Sequence, residues 1–179
     1  MVIWPVELMH MVALQQEKER ISGGLSPASS FSLSAPEHEI AVCELALGLK
    51  FDPEHRRFLQ HANGWDGFSA SADLFSTTDF LGSARFKTAQ EWIKLMDKRV
   101  LGPYAKKRSA LFPIGKSAVS TDLLLMLNEG GQIQPKVFWF TNELVEEFDS
   151  FEQMFASFKA YMHSAIEYWI KRSAKNAGA

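Results

Sequence analysis

The chain has 179 residues, of which 46% are hydrophobic and 22% charged, so length and composition fit one globular domain and exclude a disordered chain. Its net charge of -2 gives no bulk attraction to nucleic acid, and we expect no direct nucleic-acid binding. The single cysteine, Cys43, excludes an intrachain disulfide, and neither a signal segment nor an apolar run of about 18 residues is present, so we expect a cytoplasmic protein without a membrane span.

The first third of the chain predicts two helices with a loop between them. Residues 1–21 show helical spacing and end in a polar, solvated run. Residues 21–36 are rich in Gly, Ser and Pro and predict a loop that lets the first helix fold back. A second helix is predicted from Pro36 to Leu47, with Gly48 as its stop. The positions that define the first helix are Trp4, Leu8, Met11, Val12 and Gln15.

A third helix begins with strong local signals. Asp52 is a good N-cap, and Pro53 suits the first helical position. Asn63 and Gly64 then predict left-handed residues that end this helix and turn the chain. We therefore assign Asn63 and Gly64 a structural role, with Gly64 at positive φ.

The middle of the chain predicts short strands followed by a helix. Residues 67–71 and 72–82 suit strands and tight turns better than helix. Residues 88–101 return to helical spacing, so one helix is expected there. The residues predicted on its apolar face are Trp92, Leu95, Met96 and Val100.

Strands in series and a long helix complete the chain. Strands are predicted at residues 110–115, 123–128 and 136–141, with 128–135 as a hairpin-type connection between the last two. A long helix covers residues 148–172. Helices before and after consecutive strands favour a single α+β domain with a mostly antiparallel sheet. The apolar stripe of the last helix is formed by Phe151, Phe155, Phe158, Met162, Ala165 and Trp169.

No sequence motif for catalysis or metal binding is complete. Gly115 begins a Gly-Lys-Ser triplet, but a phosphate-binding loop needs a glycine where Ala110 stands. A zinc-protease helix beginning at His38 would need a second histidine where Val42 stands. Cys43 lies in an apolar stripe and reads as an inert core thiol. We therefore expect no enzyme activity, no metal and no cofactor. The histidines, including His55 and His61, are expected at the surface or at helix ends.

Two clusters of charge remain. The acidic one lies near the start of the last helix, where carboxylates favour the helix dipole and a solvated cap is one interpretation. An acidic face for a basic partner is the other. The acidic residues are Glu143, Glu146, Glu147, Asp149 and Glu152. The basic residues are Lys94, Lys98, Arg99, Lys106, Lys107 and Arg108.

The order of several short motifs resembles the SUKH superfamily. These motifs are Glu44, "LGLKFDPEHRRFLQHANGW", "DLFSTTDF", "LFPIG", the strand beginning at Asp122, "VFWF" and "SFEQMFASF". The similarity covers about residues 36–162, with 1–21 as an added N-terminal helix and 163–179 as an extension of the last helix and a tail. Asp52 stands where family members often have leucine, and this departure leaves the subfamily and the partner open.

The resemblance implies a curved sheet flanked by helices that acts by binding rather than by chemistry. Bacterial members bind and block a toxin domain, whereas fungal members are cell-wall regulators. An immunity-type protein with a toxin partner is our first expectation, and a regulatory or scaffold protein is the alternative. A small enzyme with scattered acid and base residues is a third.

Trp65 allows two interpretations: it is a core residue, or it is an exposed aromatic anchor for the partner. The candidate partner-binding residues are Trp65, Asp66, Asp79, Glu143, Glu146, Glu147 and Asp149.

The last helix raises the question of oligomeric state. Beyond Met162 its apolar face continues and should be covered. We expect the first helix to cover it within the chain; pairing with a second copy, or holding the partner, is the alternative. The protein is thus expected to be a monomer or a homodimer.

Overall fold

A computed structural model describes residues 2–23, 29–69 and 72–177. Parts of the predicted 21–36 loop, of the 67–71 strand and of the tail lie outside these residues. The helices are α1 (Trp4–Ser22), α2 (Glu37–Leu47), α3 (Pro53–Leu59), α4 (Thr77–Phe80), α5 (Ala84–Leu95), α6 (Lys98–Leu101) and α7 (Phe151–Ala177). The strands are β1 (Ser30–Phe31), β2 (Trp65–Asp66), β3 (Asp73–Leu74), β4 (Leu111–Lys116), β5 (Leu123–Glu129), β6 (Gln132–Phe140) and β7 (Leu144–Phe148).

The strands form one antiparallel sheet in the order β1-β2-β3-β4-β5-β6-β7. The α+β prediction is therefore confirmed. Gly130 and Gly131 join β5 to β6 with φ of 62° and 86°, which only glycine adopts readily in a two-residue hairpin turn. Register shifts within the β4–β5, β5–β6 and β6–β7 pairs bend the central strands.

Helical layers cover both faces of the sheet, as the alternation along β6 shows. Phe138 and Phe140 contact Tyr104 of the segment after α6. Trp139 points to the other face, where it contacts Phe158 of α7. The predicted strands 110–115, 123–128 and 136–141 correspond to β4, β5 and β6, which form the core between these layers.

The first helix packs on the last one, as expected from their apolar faces. Trp4 contacts the rings of Phe151 and Phe155, with centroids 5.8 and 5.3 Å away. One turn later, Lys159 donates a hydrogen bond to Glu7. The apolar face of α7 beyond Met162 is only partly covered, because Ile166 is buried but Ile170 is 50% exposed.

The third helix ends earlier than predicted. Its last residue is Leu59 and its C-cap is Gln60, so Asn63 and Gly64 lie beyond the helix and do not terminate it. Gly64 does have a positive φ of 83°, whereas Asn63 does not share the left-handed conformation. The pair directs the chain into β2 instead.

Residues 72–82 contain a helix where strands and turns were expected. The interpretation is wrong for α4, because Ser76 and Asp79 form a capping box around its first turn. The predicted helix of residues 88–101 is also two helices. Asp97 accepts a hydrogen bond from the Arg99 amide and caps α6.

The apolar face predicted for residues 88–101 is partly wrong. Leu95 is 82% exposed, and the buried residues of α5 are Phe86, Ala89 and Ile93. The helix starts at the Ser83 cap, earlier than expected, and turns a different stripe to the sheet. Among the described residues, no helix has the length and apolarity that crossing a membrane requires.

Candidate protein-binding surface

The tryptophan predicted as a possible anchor belongs to the core. Trp65 is 1% exposed and packs against Phe31, Phe68 and Phe155. Its indole N–H donates to Ser29 Oγ at 2.8 Å, so both the apolar ring and the polar atom are satisfied inside the chain. The exposed-anchor interpretation is therefore wrong.

Asp79 and Asp66 are held by a shared arginine. Arg85 Nε and Nη2 donate to the Asp79 carboxylate at 2.6 and 2.5 Å, and Nη1 donates to Asp66 Oδ1 at 2.5 Å. Ser76 adds its amide and hydroxyl to Asp79 at 2.9 and 2.7 Å. Burial raises the pKa of Asp79, but the hydrogen bonds from Arg85 and Ser76 outweigh it and set the pKa at about 2. The Asp79 carboxylate is thus committed to fixing α4 and α5, whereas Asp66 remains exposed.

Asn63 and Gly64 fasten α4 to α2. The Asn63 side-chain amide donates to Glu39 Oε1 at 3.0 Å and to Thr77 Oγ1 at 2.9 Å, and its carbonyl accepts from the Thr77 amide at 2.8 Å. A Cβ on Gly64 would lie 2.8 Å from the Ser76 nitrogen. The close backbone approach at this point excludes a side chain.

Gly115 and Cys43, two residues of the incomplete motifs, lie in packed surroundings. Gly115 lies inside β4, where a Cβ would be 2.5 Å from the Asp73 carbonyl oxygen, so this glycine serves strand packing. Burial raises the pKa of the Cys43 thiol to about 12, which leaves it unreactive. Within the described ranges, no group of three His, Cys, Asp or Glu is placed to hold a metal ion.

One histidine lies in the first turn of a helix, which was one of the two expected locations, but it is not at the surface. His55 is buried and stacks on Phe151 with ring centroids 4.8 Å apart. Burial lowers the pKa of His55 to about 3, so its imidazole is neutral. Its location in an aromatic cluster makes it part of the core.

The four remaining predicted residues come together at one edge of the sheet. Glu146 and Glu147 lie on β7, Glu143 precedes the strand, and Asp149 follows it. With Glu152 on the first turn of α7 they form what we call the acidic edge. The predicted lead-in to the last helix is therefore a strand. Burial alternates along "LVEEF" in the structure, but its residue types do not alternate between apolar and polar, so no period-two pattern in the sequence marked it as a strand.

The acidic edge is an open boundary of the sheet. Among the described strands, β7 pairs only with β6, so its outer backbone groups have no strand partner. Val145 is 46% exposed beside Glu147, which is also exposed. An open edge strand with one apolar and several acidic side chains offers both backbone and side-chain contacts to another protein.

Little positive charge offsets the acidic edge. Residues 143–152 contain five carboxylates and no basic residue. Lys136 of β6 donates to Glu147 and lies 4.0 Å from Asp149 Oδ1. Tyr161 donates its hydroxyl to Glu146, and this bond raises the pKa of Tyr161 to about 12. The surface therefore keeps a net negative charge and would attract a basic protein face.

The predicted residues thus form a sheet-edge group and a separate group around β2 and α4. The sheet order separates β2 from β7 by four strands, so they do not form one site. Sequence reasoning missed Lys136, Tyr161 and Arg85, whose roles depend on contacts between distant segments.

Comparison with known proteins agrees with this architecture. A sequence model described as the SMI1 / KNR4 family (SUKH-1) matches residues 34–164. The match spans α2 to the middle of α7 and leaves α1 and β1 outside it. A search of the curated proteins gives no match to the chain.

Proposed function

Since the chain belongs to the SMI1/KNR4 family (SUKH-1), whose members serve immunity or regulation, we propose that it is an immunity-type protein. It binds a cognate bacterial toxin domain and neutralises it, without catalysing a reaction. A toxin that acts inside the producing cell must be met there, so the proposed location is the cytoplasm.

The acidic edge is the observation that supports this proposal most directly. It combines five carboxylates with an unpaired outer strand. Toxins that degrade nucleic acid need basic surfaces to hold phosphates, and an acidic edge is complementary to such a surface. Glu143, Glu147 and Asp149 are exposed and would make the first electrostatic contacts.

The same charge argues against pairing between two copies at this edge. Two antiparallel copies of β7 would bring like charges opposite each other, which is unfavourable. The α1–α7 packing already covers much of the apolar surface of the last helix within one chain. We therefore propose that the protein acts as a monomer.

A binding experiment with the neighbouring gene product tests the proposal. The toxin domain encoded directly upstream would be titrated by calorimetry with the wild type and with Glu143→Lys, Glu147→Lys and Asp149→Lys combined. We expect the triple variant to lose about 100-fold in affinity, since three favourable pairs become repulsive. Co-expression should protect growth with the wild type and fail with the variant.

A charge-matched variant serves as the control. Glu19→Lys, Glu129→Lys and Glu167→Lys change the same number of exposed carboxylates away from the edge. Affinity should stay within about threefold of the wild type. Equal losses in both variants would remove the acidic edge as the binding surface. A neighbouring toxin that neither binds nor is neutralised would contradict the immunity role and favour a regulatory partner.

A further inference from the structure

A second surface, opposite in charge to the acidic edge, lies on the α5–α6 side of the sheet. Residues 86–120 carry eight lysines and arginines and only two carboxylates, although the whole chain has a net charge of -2. This segment forms most of α5, all of α6 and β4. Positive charge is therefore concentrated in one stretch of the fold.

Three exposed lysines beyond the end of α5 have no acidic partner, as is also true of Lys87 near its start. The carboxylates of the segment are already used, since Glu91 pairs with Lys94 and Asp97 pairs with Arg99. Lys98, Lys106 and Lys107 are exposed, and in the described part of the chain no carboxylate lies within 4.0 Å of them. We call these three residues the lysine surface. Its charge is available to another molecule.

A mostly apolar pocket lies at the end of α5, and Thr121, Thr141 and Asn142 also line it. It has a volume of about 210 Å³, and its walls include Trp92, Met96 and Leu123. Leu95 stands at its rim with 82% of its area exposed. Lys116 Nζ lies 4.5 Å from the centre of the Trp92 ring, which places a cation against one wall. We call this cavity the Trp92 pocket.

One hydrogen bond joins the pocket to the lysines. Arg108 donates from its guanidinium to the carbonyl oxygen of Met96, which is the C-cap of α5. The bond holds the segment containing Lys106 and Lys107 close to the end of α5. Lys98 follows Met96 by two residues. Met96 thus lines the Trp92 pocket and also bonds, through its carbonyl oxygen, to the segment that carries two residues of the lysine surface.

We propose that the Trp92 pocket and the lysine surface together dock an acidic polypeptide segment, with an apolar side chain in the pocket and flanking carboxylates on the lysines. Apolar anchors inside a charged rim are the usual arrangement of protein interfaces. Nucleic acid fits less well. Trp92 is half-buried with Lys116 over its ring, so it offers no open platform for base stacking, and the net negative charge of the chain repels a polyanion.

The test uses a synthetic peptide as the probe. The peptide is glutamate-rich with one central leucine and a fluorophore, and its binding to the full chain is measured by anisotropy. Reversal of the lysine surface, with Lys98→Glu, Lys106→Glu and Lys107→Glu combined, should weaken binding at least about tenfold. Replacing the central leucine of the peptide by glycine should weaken it about fivefold or more, because the pocket then stays unfilled.

A control variant with the same change in net charge separates local contacts from bulk charge. Arg20→Glu, Lys171→Glu and Arg172→Glu alter exposed cations of α1 and α7, and binding should stay within about twofold. Equal weakening in both variants, or no binding by the wild type, would overturn the proposal. Tighter binding of a single-stranded oligonucleotide of equal length, with the same dependence on the lysines, would assign the surface to nucleic acid instead. Self-association that disappears in the lysine variant would assign it to the acidic edge of a second copy.

Discussion

Trp4 should contribute heavily to stability, although it lies outside the residues that match the family. Its ring is 2% exposed. It contacts Phe58 of α3 at 5.4 Å and Phe155 of α7 at 5.3 Å between ring centroids. Trp4→Ala would therefore open a cavity where α1, α3 and α7 meet.

The magnitude follows from the buried area. An indole side chain buries about 200 Å², and about 25 cal/mol per Å² gives about 5 kcal/mol for its transfer from water. Partial collapse of the cavity reduces the loss, so Trp4→Ala should lower the free energy of unfolding by about 3–5 kcal/mol.

Trp4→Phe should behave differently because of one polar atom. The indole Nε1 of Trp4 is buried and has no hydrogen-bond partner among the described residues. Phenylalanine loses about 1 kcal/mol of apolar burial but removes this unsatisfied donor, which is unfavourable by about 1–3 kcal/mol. We expect Trp4→Phe to stay within about 1 kcal/mol of the wild type.

Urea denaturation followed by circular dichroism measures both variants. The slope of free energy against urea should be unchanged, so that midpoints report stability. A loss below about 1 kcal/mol in Trp4→Ala would show that α1 does not stabilise the domain. Equal losses in the two variants would refute the assignment of the indole N–H as an unsatisfied group.

Two further predictions use matched controls. Gly64→Ala should destabilise by about 2 kcal/mol or more, because φ is 83° and the new Cβ meets the Ser76 nitrogen at 2.8 Å. Gly48 has a φ of 64°, and a Cβ built there has no atom within 4 Å, so Gly48→Ala should lower the free energy of unfolding by only about 1 kcal/mol in the same assay. Equal losses in the two variants would show that the Cβ contact with Ser76 has no effect on stability. The second prediction concerns pH. Burial lowers the pKa of His55 from 6.5 to about 3, so below about pH 6.5 only the unfolded chain binds a proton at this residue. The free energy of unfolding should therefore fall progressively as the pH is lowered from about 6.5 towards 3. The slope of the free energy of unfolding against pH should reach about 1.4 kcal/mol per pH unit. His55→Leu should remove this contribution to the slope, whereas His61→Leu, at an exposed position, should retain it. An unchanged slope in His55→Leu would contradict the assignment of the pH dependence to His55.

Local signals in the sequence predicted the elements that depend on neighbouring residues. Asp52 caps α3 through hydrogen bonds to the amides of Glu54 and His55, as its position before a proline indicated. The hairpin was also predicted, but its connection is shorter than the expected residues 128–135, because β6 already begins at Gln132. The apolar runs of β4, of β5 and of the second half of β6 were long enough to identify as strands.

Contacts between distant segments determine the features that local sequence patterns did not predict. Trp65 is buried because Phe155, far along the chain, packs against it. β7 is a strand because β6 offers it an edge, although its acidic residues suit a helix start equally well. The sequence predicted which acidic residues cluster along the chain. Their location on an open edge strand depends on the pairing of β7 with β6.

The packing of α1 on α7 has a consequence for synthesis of the protein. Glu7 and Lys159 are 152 positions apart, so the first helix leaves the ribosome long before its cover exists. Until then the face of α1 that packs on α7 lacks that partner, although Phe58 of α3 can already contact Trp4. Docking of α1 should therefore be among the last steps of folding, since closing so long a loop is slow and follows assembly of the segments between.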